Sequence, residues 1–534
     1  MKAYYSLLLL FAAARGAFAT FQDDCAVLAT TFDYQDAEVL LSTYVTAGTN
    51  LTFPESASNT CPKFIVTLAD MCRLRLNHTT TSTSSVIMEA FLPVNWASSG
   101  KRFLMTGNGG LGGCLAYNDM VMGAKLGFAT IGHDNGHAGD TGAPFLNRPE
   151  VIADFVWRAL YQAGKVGKAA VNHFYSGIGI RKSYYMGCST GGRQGMKAAQ
   201  EFPGEYDGIL SAAPAIGSIG LGAIDAKAYF TFGPPGSPTH LTLQQWNRVH
   251  QMVIDQCDGI DGVLDGVLED PMKCQPRPEA LLCGPGQNWA SHQCLASQQV
   301  NSVRQFYEPV YGNGGKLITP RMQPLTREFL GYPLIYGGIP SRFAQHWYRY
   351  ALYSDPNWDL ATDFTLDVVD DDLRDVYGLD TYKTDLSDQQ GNNTKVLMYH
   401  GLTDGLISSE NSYKYYDDVS RAMGLKSDEL DEFFRFFPVS GLDHCSTGDG
   451  AWYVGGPLQF TTPGALERAG DSALMSMVKW VEDGIAPETL KGRKIVNGAV
   501  VSERNHCRYP RKNKYKGSGD PNLASSWECS SEQV

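Results

Sequence analysis

Apolar residues recur along the chain with two periods, and the points where one gives way to the other lay out a fold. Short strand-type runs stand at Val86 to Pro93, Arg102 to Gly107 and Gly127 to Gly132. Between Asn147 and His173 the apolar positions Val151, Phe155, Leu160, Val166 and Ala170 take up helical spacing instead. A further strand, Ser183-Tyr184-Tyr185-Met186, runs into glycines and then the helix-like Gln194 to Gln200. Much later, Lys395 to Gly401 and Glu432 to Val439 read as two more buried strands. Alternation of strand and helix predicts a parallel α/β sheet with helices on both faces. The 215 positions from residue 189 to residue 404 exceed what a few remaining strand-helix units need. That excess predicts a second domain inserted over 214–392, with the α/β unit formed by 20–213 and 393–534.

The first residues depart from this pattern. Lys2, the apolar run Leu7 to Phe11 and the small-residue end Ala17-Phe18-Ala19 read as a signal peptide over 1–19, which predicts a secreted, extracellular protein. No later run approaches the roughly 18 apolar residues of a membrane span. All 12 cysteines follow the signal, an even number suited to six disulfides, and no C-x-x-C pair suggests zinc. Sequons at Asn50, Asn77 and Asn392 fit the same route. The net charge of −12 argues against nucleic acid or an anionic membrane as partner. Oligomeric state is not legible.

Candidate chemistry centres on Gly187-Cys188-Ser189-Thr190-Gly191-Gly192, a G-x-S-x-G turn between a strand and a helix. Such a turn projects a serine hydroxyl and leaves the Thr190 amide free to face an oxyanion. Serine needs a histidine to take its proton and a carboxylate to orient that histidine. Asp404 leaves the strand ending at Gly401, and His444 follows the strand ending at Val439, in the order Ser, Asp, His of an α/β-hydrolase. Asp443 is a rival acid, but it adjoins His444 and is poorly placed to reach the same ring. The loop Gly107 to Cys114 is expected to give the second oxyanion amide, assigned to Gly113; it lacks the Gly-Lys-Ser/Thr ending of a phosphate loop. His133 and His137 are four apart but lack the H-E-x-x-H glutamate, so they predict a loop near the site rather than a metal centre. Cys188 and Cys445 flank the nucleophile and the base; they either bond to each other or belong to two separate disulfides.

The stretch Gly187 to Gly195 together with Asp404 and His444-Cys445 resembles the CS-D-HC motif of the tannase and feruloyl esterase family, over nearly the whole chain. The resemblance implies the bond Cys188 with Cys445. It implies also Cys25 with Cys72, Cys61 with Cys114, Cys257 with Cys274, Cys283 with Cys294, and Cys507 with Cys529. Asp258, Asp261 and Asp265 lie among glycines in an arrangement that suits calcium or, equally by residue type, a solvated acidic turn. The family resemblance favours a structural calcium held by these three with the carbonyls of Val263 and Val267. The insert is expected to act as a lid, its aromatics Tyr229, Phe230, Phe232, Phe329, Tyr332, Tyr336, Phe343 and Trp347 offering surfaces for a planar acyl group. The implied function is a serine carboxylesterase acting on hydroxycinnamate esters of plant cell-wall polysaccharides such as xylan, or of related phenolics. A tannase acting on gallate esters is the nearest alternative, and a catalytically inactive carbohydrate-binding relative the alternative from another class.

Overall fold

The computed structural model describes residues 20–530 except 54–57, 59, 289–293 and 325–330. The signal segment 1–19 and Phe329 therefore lie outside the described residues.

Nine strands form the central sheet: β1 (Ala37–Val45), β2 (Met71–Thr81), β3 (Ser84–Pro93), β4 (Arg102–Thr106), β5 (Phe128–His133), β6 (Lys182–Cys188), β7 (Gly208–Ala212), β8 (Lys395–Gly401) and β9 (Phe434–Val439). Their spatial order is β1-β2-β3-β5-β4-β6-β7-β8-β9. The first three pair antiparallel, and β5 joins them antiparallel to β3. From β5 onward all neighbours are parallel. The last five strands in that order are almost fully buried, with Val, Ile, Leu, Phe and Tyr facing both sides. This is the composition expected of strands covered on both faces.

Helices α1 (Ala159–Phe174), α2 (Thr190–Glu201) and α3 (Glu410–Met423) pack their apolar stripes on one face, where Leu160, Met196 and Tyr415 join Met105 and Met398 in one core. On the other face α4 (Ala473–Asp483) sets Leu474, Met477 and Val478 against Tyr184, Leu210 and Leu397. The result is an α/β-hydrolase fold.

Between β7 and β8 the chain leaves the sheet and builds mostly helical structure with its own core, where Phe232, Trp246, Phe306 and Tyr336 interlock. Six disulfides join Cys25–Cys72, Cys61–Cys114, Cys188–Cys445, Cys257–Cys274, Cys283–Cys294 and Cys507–Cys529, the pairings that the family resemblance implies. Among the described residues no helix is long and apolar enough to cross a membrane.

Candidate active site

Ser189, Asp404 and His444 all leave the C-terminal ends of parallel strands: β6, β8 and β9 respectively. Ser189 has φ +65° and ψ −122°, a strained backbone for a residue with a side chain, and the next residue opens α2. The turn is possible because its neighbours lack side chains. A Cβ on Gly187 would stand 2.6 Å from the backbone of Gly191, and one on Gly192 would stand 2.4 Å from the carbonyl of Ala212. The Ser189 amide donates to Ala212 O at 3.0 Å, which ties the elbow to β7.

Asp404 is fully buried and ringed by donors. His444 Nδ1 lies 2.8 Å from its Oδ2 and His400 Nε2 lies 3.1 Å from the same oxygen, while the amides of Leu406 and Ile407 donate to Oδ1 at 2.8 and 2.9 Å. Burial alone would raise this carboxyl, but the charge of His444 and the hydrogen bonds from His400 and His444 outweigh it and hold Asp404 well below the usual carboxylate range. Burial likewise would lower His444, and the charge and hydrogen bond of Asp404 reverse that, leaving the imidazole above its ordinary value. Asp443 is unsuited to the same role. Its Oδ1 accepts the backbone amide of His444 at 2.7 Å, its Oδ2 is enclosed without a partner among the described residues, and burial followed by repulsion from Asp404 lifts it to about 7.

Ser189, Thr190 and His444 open into one cavity of about 390 Å³. As the first residue of α2, Thr190 keeps its N–H outside the intrahelical ladder. Its hydroxyl donates to Gly110 O at 2.6 Å and fastens the elbow to the glycine-rich loop. The assignment of Gly113 to the oxyanion hole is corrected here. Its amide donates to Gly139 O at 2.6 Å in a backbone bridge, a Cβ on it would meet His137 O at 2.1 Å, and it does not line the cavity. Gly109 and Gly110 do line it, and among the described residues their amides donate to no acceptor.

A buried amide network that sequence reasoning missed holds this loop. Gln194 Oε1 accepts from the Asn108 amide at 3.0 Å, and Gln194 Nε2 donates to Asn108 Oδ1 and Asn135 Oδ1 at 3.1 and 2.9 Å. Asn135 Nδ2 donates to Gly112 O at 2.5 Å, and His137 Nε2 lies 2.8 Å from Leu111 O. His137 thus braces the loop, as expected of a residue packing beside the site. The one signal for this network was the pair of asparagines next to glycines, which by composition alone reads as turn chemistry.

The remaining wall comes largely from the inserted segment, including Leu221, Gly222, Asp225, Phe343, Trp347 and Asp372. Of the aromatics expected to form a binding surface, Phe343 and Trp347 reach the cavity. Phe232 and Tyr336 are fully buried in the insert's own core, the commoner place for any one of these aromatics, and Phe230 stacks on Phe364 half-exposed.

In the acidic loop, Asp258 Oδ1 accepts from the amide of Gly266 at 3.0 Å, Asp261 Oδ1 from Val263 at 3.1 Å, and Asp265 Oδ1 from Val267 at 3.1 Å. Burial raises Asp261 to about 6, and the charge of Asp265 adds to it; Asp265 is raised by burial and by Asp258. Three carboxylates on one loop are a donor set of the hard-oxygen type. Among the described residues, side chains of His, Cys, Asp and Glu alone form no group of three able to hold a metal ion. The loop abuts the turn that carries His444: a Cβ on Gly441 would come within 3.2 Å of Val267.

The sequence profile of the tannase and feruloyl esterase family matches residues 72–329 and 342–530. The chain belongs to that family. It is 44% identical over 515 residues to a probable feruloyl esterase B of Emericella nidulans, covering 95% of each chain. The crystal structure of feruloyl esterase B from Aspergillus oryzae superposes with a TM-score of 0.91 at 42% identity, over 96% of this chain and all of that one. A tannin acyl hydrolase from Aspergillus niger shares the family fold with a TM-score of 0.73 at 19% identity.

Proposed function

We propose that the protein is a secreted serine carboxylesterase that cleaves hydroxycinnamate esters of plant cell-wall polysaccharides or related phenolics, with Ser189, His444 and Asp404 as its triad. The observation that carries this reading is the strained Ser189 elbow opening into the same cavity as a His444 that is hydrogen-bonded through Nδ1 to an ionised Asp404. Feruloyl esterase relatives at 42–44% identity support the substrate class. The gallate-ester alternative has weaker support, since the tannin acyl hydrolase is only 19% identical. An inactive binding protein would have no need of all three groups together.

In this mechanism Ser189 Oγ attacks the ester carbonyl while His444 Nε2 takes its proton. Asp404 holds the tautomer and stabilises the imidazolium. The oxyanion is met by the amides of Thr190 and of Gly109 or Gly110. His444 returns the proton to the leaving alcohol, and water then releases the acyl group by the same steps in reverse.

A structural calcium would be held by Asp258, Asp261 and Asp265 with the carbonyls of Val263 and Val267, and would supply charge neutralisation to the loop. Asn50 and Asn392 are exposed and suit glycosylation, whereas Asn77 sits in the middle of β2 with its Oδ1 enclosed. Steady-state rates on methyl ferulate, caffeate, p-coumarate, sinapate and gallate test the reading. The expected result is a higher kcat/KM on one or more hydroxycinnamates than on gallate; gallate as best substrate would transfer the protein to the tannase reading.

A further inference from the structure

The insert's share of the cavity wall is mostly apolar, with Leu221, Ile335, Phe343 and Trp347, yet two carboxyl groups stand in it. Asp225 lies on the helix Ser218–Phe232 and Asp372 ends the helix Leu366–Asp372; each is only 4% exposed. Burying a carboxyl in such a wall is costly unless its oxygens are hydrogen-bonded. Each is bonded on one side only. Ser341 Oγ donates to Asp225 Oδ2 at 2.6 Å, and Trp347 Nε1 donates to Asp372 Oδ1 at 2.9 Å. The second oxygens, Asp225 Oδ1 and Asp372 Oδ2, have no hydrogen-bond partner among the described residues, and both residues line the cavity.

Neither acid forms an ion pair among the described residues, so neither is a structural salt bridge that happens to pass the site. Neither touches Ser189, His444 or Asp404 by hydrogen bond, so neither belongs to the chemistry of bond cleavage. Tyr348 completes the group. Its hydroxyl is buried without a partner among the described residues, fits where Gly222 lacks a side chain, and resists ionisation through burial and through the charges of Asp372 and Asp225. Burial lifts both carboxyls to about 7, with the bond from Ser341 or Trp347 pulling the other way. The free oxygen of each can accept a hydrogen bond from a ligand hydroxyl.

We infer that Asp225 and Asp372 read free hydroxyl groups on the aromatic ring of the acyl part, bonding an O–H that a methoxy group or a bare ring carbon does not supply. The inference rests on the hydroxycinnamate-ester reading of the same cavity. A polar group built to bond a hydroxyl penalises the ligand that lacks it, because the buried oxygen is then left unpaired.

The test compares kcat/KM for methyl 4-hydroxycinnamate and methyl 4-methoxycinnamate in the native chain and in Asp225→Leu, Asp372→Leu, Asp225→Asn and Asp372→Asn, each checked for folding by its thermal unfolding curve. The native enzyme is expected to favour the hydroxylated ester by about 10- to 100-fold. In the Leu variants that preference falls toward unity. The Asn variants keep an accepting oxygen but not a charge, and are expected to lose about half of the preference on a logarithmic scale. An unchanged ratio in both folded Leu variants overturns the inference, as does an unchanged ratio in both Asn variants should the Leu variants not fold, or a native enzyme indifferent to the methyl group. A native enzyme that cleaves 4-nitrophenyl acetate but neither cinnamate overturns the underlying substrate reading, a result distinct from the others.

Discussion

The loops at the strand ends and the segment inserted between β7 and β8 face each other across one cavity, but they are built on opposite principles. The loops gain their geometry from local necessity. Ser189 can hold a strained φ because the glycines around it leave space for the tight turn, and Asp404 stays ionised because four donors converge on it. The insert gains its geometry from packing between distant helices, in its own core around Phe232, Trp246 and Tyr336 and in a second cluster where Trp347, Tyr348 and Val368 meet Phe145, Val151 and Phe155 of the α/β unit; what it offers the cavity is whatever faces inward once these have closed: Phe343, Trp347, Asp225 and Asp372. On the proposed function the difference separates chemistry from selection. Changes in the loops should abolish turnover with any ester, whereas changes in the insert should alter which ester is taken.

The sharpest way to break this division is Ser189→Ala. Loss of at least about ten-thousand-fold in kcat is expected, with an unchanged unfolding curve; retained turnover on any ester would remove the loops from the chemistry. Next comes Asp404→Asn, expected to lower kcat by about a thousand- to ten-thousand-fold. Its pH profile is informative as well. Only the neutral imidazole can accept the serine proton, so the native kcat/KM should fall as pH drops through the pKa of His444, with a midpoint above the ordinary histidine value of about 6.5 because Asp404 raises it. Removing that charge should move the acid limb downward, and a limb that stays put would mean another group is being titrated.

A smaller effect is expected from a Cys188→Ala, Cys445→Ala double variant. Losing this cross-link should cost about 2–4 kcal/mol of stability, read as a lower Tm, and about tenfold in kcat as nucleophile and base drift apart. Normal rates would make the bridge dispensable to the site. The smallest effect is assigned to the insert's acidic loop: chelation should lower the Tm by a few degrees while leaving kcat/KM at 25 °C nearly unchanged. A metal-free elemental analysis with an unmoved curve would remove calcium from the account.

The parallel half of the sheet was legible because strands buried on both faces announce themselves as continuous apolar runs, as at Lys395 to Gly401 and Phe434 to Val439. That Ser189, Asp404 and His444 would gather at one end of the sheet was legible because each sits a few residues past such a run. The second oxyanion amide was not. Gly107 to Cys114 holds several glycines of equal promise, and only the backbone bridge from Gly113 to Gly139, a residue beyond the next strand, removes Gly113 from the choice. The cavity's outer wall was illegible for a related reason. Tyr336 and Trp347 look alike in sequence, and which one faces a ligand and which one faces Trp246 is decided by packing among helices far apart in the chain.

The bond between Cys188 and Cys445 spans 257 positions. During synthesis from the N-terminus, Cys188 emerges with no proper mate, and the next thiols to appear are Cys257, Cys274, Cys283 and Cys294, all of which belong to one another. Until Cys445 emerges, every disulfide open to Cys188 is therefore a mistaken one. Any such bond must be exchanged by another thiol before the native pair can close.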